Sequence, residues 1–373
     1  MTLKQIDSND SVDQVLAKTA VARNWLDVKN PQTYGAPEFT MRVSAHIPGA
    51  SPAVQDVFVP GFLRLAEMTN GRIQVEQHWG GSLHKERDGI EVLQKGITDM
   101  CPVYSAWDAN LFPAAQCLSL PFIFPSVELA TAVSEDLYDK HFKRDIECHD
   151  IYMGRMVATS EYNLFSREPI RTLEDMAGQK IACSNGMESD LFSALGAVPV
   201  GCSTPEAKQK FESGEVFAIS ISDSAAYTVG LYKFAKYRTS ANLVRVNLEY
   251  CLSKAFFNQL PKDLQLTLNA WMRAMAQAGA QIFYGLAGAK ACAEFVKAGI
   301  SFISLTDTEQ ERWRSRVAHV ESALIKNLEG KNYPGAEIIK DIKKQIEKYQ
   351  DFSSDQLMQA TLDQPLMNLL PLK

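Results

Sequence analysis

The run Phe39-Thr-Met-Arg-Val-Ser-Ala45, followed shortly by Ser51-Pro52, decides how the chain is read. Its apolar and polar residues alternate as they do in a half-buried strand. Ser51-Pro52 then has the form of a helix N-cap with proline at the first helical position, where a missing N–H costs nothing. Together they make a β-to-α step. The helix that follows carries Val54, Val57, Phe58 and Leu65 on its inner face, with a kink expected at Pro60 and a stop at Asn70-Gly71. Arg72-Ile-Gln-Val-Glu-Gln77 alternates again. After Gly80-Gly81 a helix is expected over 85–95, closed by Gly96, and the short run to Tyr104 reads as a third strand. A βαβαβ order implies parallel strands joined by right-handed crossovers.

Working outward, residues 1–37 show no sustained period and contain Pro31 and Pro37, so they read as an extension and a poor place for a site. A second α/β unit begins near Ile151. It has a strand within 156–165, a turn at Glu168-Pro169, a helix start at Thr172-Leu-Glu-Asp175 and a strand at Lys180-Ile-Ala-Cys183. A helix over 188–195, a strand at Val198-Pro-Val200, a helix over 205–213 and a strand through 216–222 follow. From Pro261 to about Gly299 the pattern stays helical, with bends or breaks expected at Gly279, Gly285 and Gly288. A helix of that length can brace two lobes. The charged segment 307–349 reads as further helices around a loop at Lys331-Asn-Tyr-Pro-Gly-Ala336.

The 373 residues suit two or three domains, and 46% hydrophobic against 22% charged residues is the balance of a globular protein with a sizeable core. A formal net charge of −6 supplies no global positive field for a phosphate backbone or an anionic membrane, so nucleic-acid binding is not expected. The uncharged run 274–289 is interrupted by Gln277 and Gln281, which makes it a buried Ala/Gly-rich helix rather than a membrane span. The amino terminus carries acidic residues where a leader peptide has basic and apolar ones. Seven cysteines, at 101, 117, 148, 183, 202, 251 and 292, form no CxxC pair and read as buried thiols of a reducing compartment.

Catalytic and metal signatures are missing. No Walker loop, GxGxxG, HExxH or GxSxG occurs. His78 and His84 lack the spacing of ligands on one helix face, and Cys148 beside His149 is not the through-space arrangement that activates a thiol. No cofactor and no metal site is expected.

Several segments, in order along the chain, resemble the solute-binding proteins of TRAP transporters, from about Phe39 to about Tyr349. They are Thr69-Asn-Gly-Arg72; Gly80-Gly-Ser-Leu83 with Glu86; Gly96-Ile-Thr-Asp-Met100; Leu120-Pro-Phe-Ile-Phe124; Pro169-Ile170 with Leu173-Glu-Asp-Met-Ala-Gly-Gln-Lys-Ile181; Leu195-Gly-Ala-Val-Pro-Val200; and Leu260-Pro-Lys-Asp263. The resemblance implies a periplasmic-binding-protein-like α/β fold of two lobes, with crossing hinge strands and a long bracing helix. It implies lobe I over 38–160 plus 248–288, lobe II over 161–247 plus 289–345, and a tail over 346–373. It also implies capture of a small organic ligand between the lobes, without catalysis, for periplasmic delivery to membrane transporter subunits. A cytosolic sensor or scavenger of the same fold, motivated by the cysteines and the amino terminus, and an enzyme with an interlobe active site are the alternatives.

The resemblance also locates candidate ligand contacts. Members usually hold a carboxylate with an arginine after Lys-Ile, because a guanidinium offers a planar bidentate fork. Here that position is Ala182. A second arginine of some members falls near Tyr162. A neutral, aromatic or cationic ligand is therefore expected, unless Arg155, Arg167 or Arg171 supplies the charge; Arg155 by itself reads as a surface or interlobe ion pair. His46, at the end of the first strand, reads equally as a contact or a cap. Glu86 sits where the family places an acidic contact. Tyr104 and Trp107 could stack on an aromatic ring. Cys183 and Asn185 lie with Tyr162 and Ala182 on the altered wall, and Ser222 and Tyr227 follow the last strand of the second lobe.

Overall fold

A computed structural model describes residues 4–7 and 9–372. Residues 1–3, the start of the stretch weighed above as a leader, lie outside it, as do 8 and 373. Two sheets organise the chain. The first contains β1 (Phe39–Ser44), β2 (Ile73–His78), β3 (Met100–Val103) and β4 (Ile151–Ala158), in the order β2-β1-β3-β10-β4 with β10 (Asn247–Ser253) inserted. The second contains β5 (Asn163–Ser166), β6 (Lys180–Cys183), β7 (Val198–Gly201), β8 (Ala218–Ile221), β9 (Tyr237–Ser240) and β11 (Ser301–Ser304), in the order β11-β9-β5-β8-β6-β7.

The expected parallel unit is present, with β1 parallel to both β2 and β3. β10 runs antiparallel between β3 and β4, returning from the second sheet to complete the first. The strand expected within 156–165 is two strands. Residues 159–162 between them carry the chain from one sheet to the other, and 241–246 carry it back. Backbone bonds from Thr159 to Val246 and from Tyr162 to Val244, both 2.8 Å, zip these two crossings together.

The third crossing is the long helix. It runs Lys262–Ala278, then as a π-helix through Gly279–Leu286, then Ala287–Lys297. The breaks expected at its glycines do not occur. Buried through its middle, the helix runs on and absorbs the irregularity as a wide turn, and such turns are frequent at functional sites. Leu264, Leu268, Trp271 and Met275 anchor one end in the first lobe's core, while Ala291 and Phe295 anchor the other among Phe165, Phe211 and Ile219. A second π-helical segment, Val54–Phe58, precedes the helix Val59–Met68 and stands where a kink at Pro60 was expected. Proline offers no N–H to the preceding turn, so the ladder there is rearranged.

Two departures concern the chain ends. The extension is structured, with helices Val12–Lys18, opened by a Ser11/Gln14 capping box, and Ala20–Leu26. Each is too short for hydrophobic periodicity to declare itself. Near the other end the helix Gly335–Tyr349, grouped above with lobe II, packs on Val127–Leu137 beside the first sheet, with Lys348 and Tyr349 both bonded to Asp136.

Candidate functional site

The carboxyl end of β1, the loop after β3, the crossing strands, the π-helical turns and the first residues of two second-lobe helices converge on a cavity of about 420 Å³ between the lobes. That volume suits a small organic ligand. Its lining is mostly apolar and aromatic, including Val57, Phe58, Tyr104, Trp107, Tyr250, Phe283 and Tyr284.

Arg155 is the cationic group of the inner wall. It is 3% exposed and held by β4. Its Nη1 donates to the Met275 carbonyl at 3.2 Å, and its guanidinium lies 4.9 Å from the Phe58 ring centre and 4.7 Å from that of Tyr250. Its Nε is buried without a hydrogen-bond partner. Among the described residues no carboxylate stands within ion-pair distance. The nearby acid, Glu135, pairs instead with Arg273 at 3.0 Å and accepts from the Met156 N–H. The carboxyl group nearest both guanidiniums is thus taken by Arg273. Burial drives the Arg155 pKa down, opposed by Tyr250, Tyr284 and Glu135. Burial also lifts Glu135 to about 7, against the pull of Arg273. The sequence expectation that Arg155 forms an ion pair is therefore corrected: close aromatic packing from Phe58 and Tyr250 takes the place of an acid. Gly279 makes room for this side chain, since a Cβ there would stand 3.0 Å from Nη1.

A second polar group faces the same space. Nε2 of His46 lies 3.0 Å from Glu86 Oε1, and Tyr104 packs edge-on to the His46 ring at 5.7 Å. His46 Nδ1, Glu86 Oε2, Trp107 Nε1, Ser51 Oγ and Ser222 Oγ are buried without hydrogen-bond partners. All five residues line the cavity. Buried polar atoms are normally satisfied, so a cluster of orphans facing one space marks groups set aside for something that enters it.

Of the residues singled out in the sequence, His46, Glu86, Tyr104, Trp107, Tyr162 and Ser222 line this cavity, and four do not. Ala182, fully buried, points into the apolar layer of Phe165, Phe211 and Ile219. Cys183, its neighbour on the strand, faces the opposite side, with Sγ 3.7 Å from Ser189 Oγ. Asn185 packs against Gly201. Tyr227 stacks on Tyr232, with ring centres 5.3 Å apart and planes 12° from parallel. Arg167 donates to the backbone at Phe211 and Glu212, and Arg171 is exposed, so neither brings charge to the cavity. The residues missed are Phe58, Tyr250, Gly279, Phe283 and Tyr284, together with Thr204 and Lys208 on the second lobe. Proximity to the long helix could have flagged 279–284; nothing local distinguishes the rest from core.

Two other clusters lie apart. Ser44 Oγ meets His84 Nε2 at 2.8 Å, but His84 Nδ1 bonds the Lys85 carbonyl at 2.7 Å and neither residue lines the cavity. His141, Glu337 and Asp341 converge, yet Lys140 bridges both carboxylates and makes the group an ion-pair network.

Comparisons agree with this architecture. The chain is 26% identical over 291 residues to the C4-dicarboxylate-binding periplasmic protein DctP of Rhodobacter capsulatus, covering 76% of this chain and 84% of that one. A TRAP solute-binding protein from an unidentified marine microbe, specific for aromatic acids and holding 3-hydroxybenzoate, shares the fold with a TM-score of 0.79 at 18% identity, over 85% of this chain and 100% of that one. Another from Roseobacter denitrificans, with bound β-D-glucuronate, has a TM-score of 0.72 at 18% identity, over 82% and 99%. No described helix is long and apolar enough to cross a membrane. The DctP family model, bacterial extracellular solute-binding protein family 7, matches residues 59–327, and with the two-lobed fold around its cavity this chain belongs to that family of solute-binding proteins.

Proposed function

We propose that this protein captures a small aromatic monocarboxylate between its lobes and presents it to the membrane subunits of a TRAP-type transporter. The single observation that carries the ligand class is Arg155. An uncompensated buried guanidinium is costly, and an incoming carboxylate supplies the missing charge and accepts from its free Nε–H. Among the described residues only one such cation is buried in the cavity, which favours a monocarboxylate over a dicarboxylate. Lys208, on the second lobe, is already within 3.6 Å of Glu212. The neutral or cationic ligand expected from Ala182 and Tyr162 is withdrawn on this ground, while the aromatic expectation stays, because Phe58, Tyr104, Trp107, Tyr250 and Phe283 surround the space.

Orientation follows from the second polar group. With the carboxylate on Arg155, the His46–Glu86 pair offers an acceptor to a hydroxyl or amino substituent on the ring. A structural neighbour of the same fold holds 3-hydroxybenzoate, which has this combination of groups. Closure of the second lobe then shields the ion pair from water, which strengthens it.

Thermal melting against benzoate, 3-hydroxybenzoate, mandelate, glucuronate and succinate tests the reading. At about 100 times Kd, linkage gives about 2.7 kcal/mol of stabilisation, a shift of about 2–4 °C at this size. Shifts with the aromatic acids that vanish in Arg155→Met support it. Shifts with succinate or glucuronate alone overturn the ligand class. The compartment is checked by fractionating cells that produce the native protein: recovery outside the cytoplasmic membrane fits transport, and recovery in the cytosol replaces it with the scavenger reading.

A further inference from the structure

The amino-terminal segment lies outside the family match, which begins at residue 59. Structural neighbours are covered almost end to end by 82–85% of this chain, so part of the chain is additional to the shared fold. The amino-terminal segment is built into the molecule. Ile6 donates its backbone N–H to Glu128 Oε1 at 2.7 Å, Gln5 Nε2 donates to the Tyr349 carbonyl at 2.9 Å, and Ser126 Oγ donates to Gln5 Oε1 at 2.6 Å. Glu128 is fully buried and also accepts from Ser354 Oγ at 2.5 Å. Further along, the Val21 N–H bonds Asp355 at 2.8 Å, Arg64 Nε bonds the Trp25 carbonyl at 2.7 Å, and Ala22 and Leu26 enter the first lobe's core.

What this segment covers gives it a role. Ile6 and Val15 form an apolar cluster with Leu286, the last π-helical residue, and Ala289 packs against that cluster from the second-lobe part of the long helix. Gly285 is the notch for Ile6, because a Cβ there would lie 2.6 Å from Ile6 Cδ1. The same π-helical segment carries Gly279, Phe283 and Tyr284 into the cavity. The segment is therefore fastened to the first lobe by hydrogen bonds and presses on the helix where it leaves that lobe for the second.

We propose that residues 4–7 and 9–26 are a splint across the hinge, restraining the π-helical turn and so the angle between the lobes. Any change of that angle must displace the helix at 279–289, because its two ends are anchored in different cores. The splint opposes displacement by the Ile6–Gly285 fit and the Val15–Leu286 contact. Loss of these contacts lets the hinge open more freely. If the splinted angle is the binding-competent one, ligand affinity falls in proportion to the lost population.

The proposal rests on the two-lobed fold and is independent of the ligand class, so its test uses ligand-free protein. The double variant Ile6→Ala/Val15→Ala is compared with the unmodified chain by hydrogen–deuterium exchange and small-angle X-ray scattering. Exchange of amides within 280–289 is expected to rise about 5- to 150-fold, the usual range of coupling between distant sites, with a larger radius of gyration. Ile6→Ala alone, which keeps the backbone bond to Glu128, is the milder variant should the double one not fold. A cooperatively melting variant with unchanged scattering and unchanged exchange over 280–289 overturns the splint. So does faster exchange spread evenly over the chain, which reports only lost global stability.

Discussion

The two walls of the cavity are built from different chemistry. The first lobe presents Arg155, His46, Glu86, Tyr104 and Trp107, several of them with polar atoms buried and unpaired. The second lobe presents Thr204, Pro205, Ile221, Ser222, Ala225, Thr228 and Val229, small side chains with few polar atoms, and Lys208. A wall with one uncompensated cation and fixed polar groups is suited to choosing a solute and orienting it. A wall of small aliphatic and hydroxyl groups tolerates many shapes and serves mainly to exclude water. On the proposed reading, this difference places affinity and selectivity in the first lobe and leaves the second to complete closure.

The sharpest way to break this contrast is to move the charge across the cleft. Ala182→Arg would place an arginine where the family resemblance expects one, but here that side chain points into the Phe165–Phe211 layer. An unpaired charge forced into a packed core is expected to cost about 4 kcal/mol or more. A severe loss of Tm without any gain in acid binding is the expected result, and restored affinity in a stable variant would place Ala182 at the cleft.

Removing the charge from the first lobe comes next. Arg155→Met is expected to weaken binding of 3-hydroxybenzoate by about 2–4 kcal/mol, roughly 30- to 1000-fold, as measured by calorimetry. The apo protein should be unchanged or more stable, because the variant removes an uncompensated buried cation and keeps the packing. Equal binding by variant and parent would transfer the anchoring role to the second lobe.

A pH series separates structural acids from ligand-binding ones. Burial lifts Glu188 to about 7, against the bonds it accepts from Ser184, and Glu249 to about 7, against those from Ser105. A folded-state pKa above the unfolded one favours the protonated acid, so the stability it contributes is present below about pH 4.5 and is lost as pH rises through about 7. Tm should therefore fall between pH 5 and pH 8, and Glu188→Gln should flatten part of that slope. A parent Tm that rises across this interval would contradict the assignment. On the second lobe, Ser222→Ala should change acid affinity by about threefold or less, since its hydroxyl can contribute one neutral hydrogen bond of about 0.5 kcal/mol. A larger loss would make the second wall a selective one.

Much of the architecture was legible along the chain. The alternation at 39–45 and 72–77, the Ser51-Pro52 cap and the glycine stops placed β1 to β3 because their period and punctuation are local properties. The helical run 261–299 was visible for the same reason. The strands β9, β10 and β11 were not, since each is held by partners far away in sequence: β10 is paired with β3 and β4 rather than marked by its own pattern. The extension's helices were missed because seven residues hold fewer than two turns of period.

The site divides along the same line. Positions relative to strand ends brought His46, Tyr104, Trp107 and Ser222 to the cavity, because the end of a strand in a parallel sheet is a place that chain order alone predicts; Glu86 and Tyr162 came from the family resemblance. Which face of a strand each side chain takes, and which arginine lacks an acid, is a property of packing. Ala182 and Cys183 are adjacent yet lie on opposite faces of β6, and neither reaches the cleft. The proposed anchoring charge falls to Arg155 because Glu135 is already committed to Arg273 and because Phe58, Tyr250 and Gly279, from three separate segments, shape the space around it. Local periodicity determined the lobes; the pairing of charges across distant segments, which sequence order does not encode, determined the site.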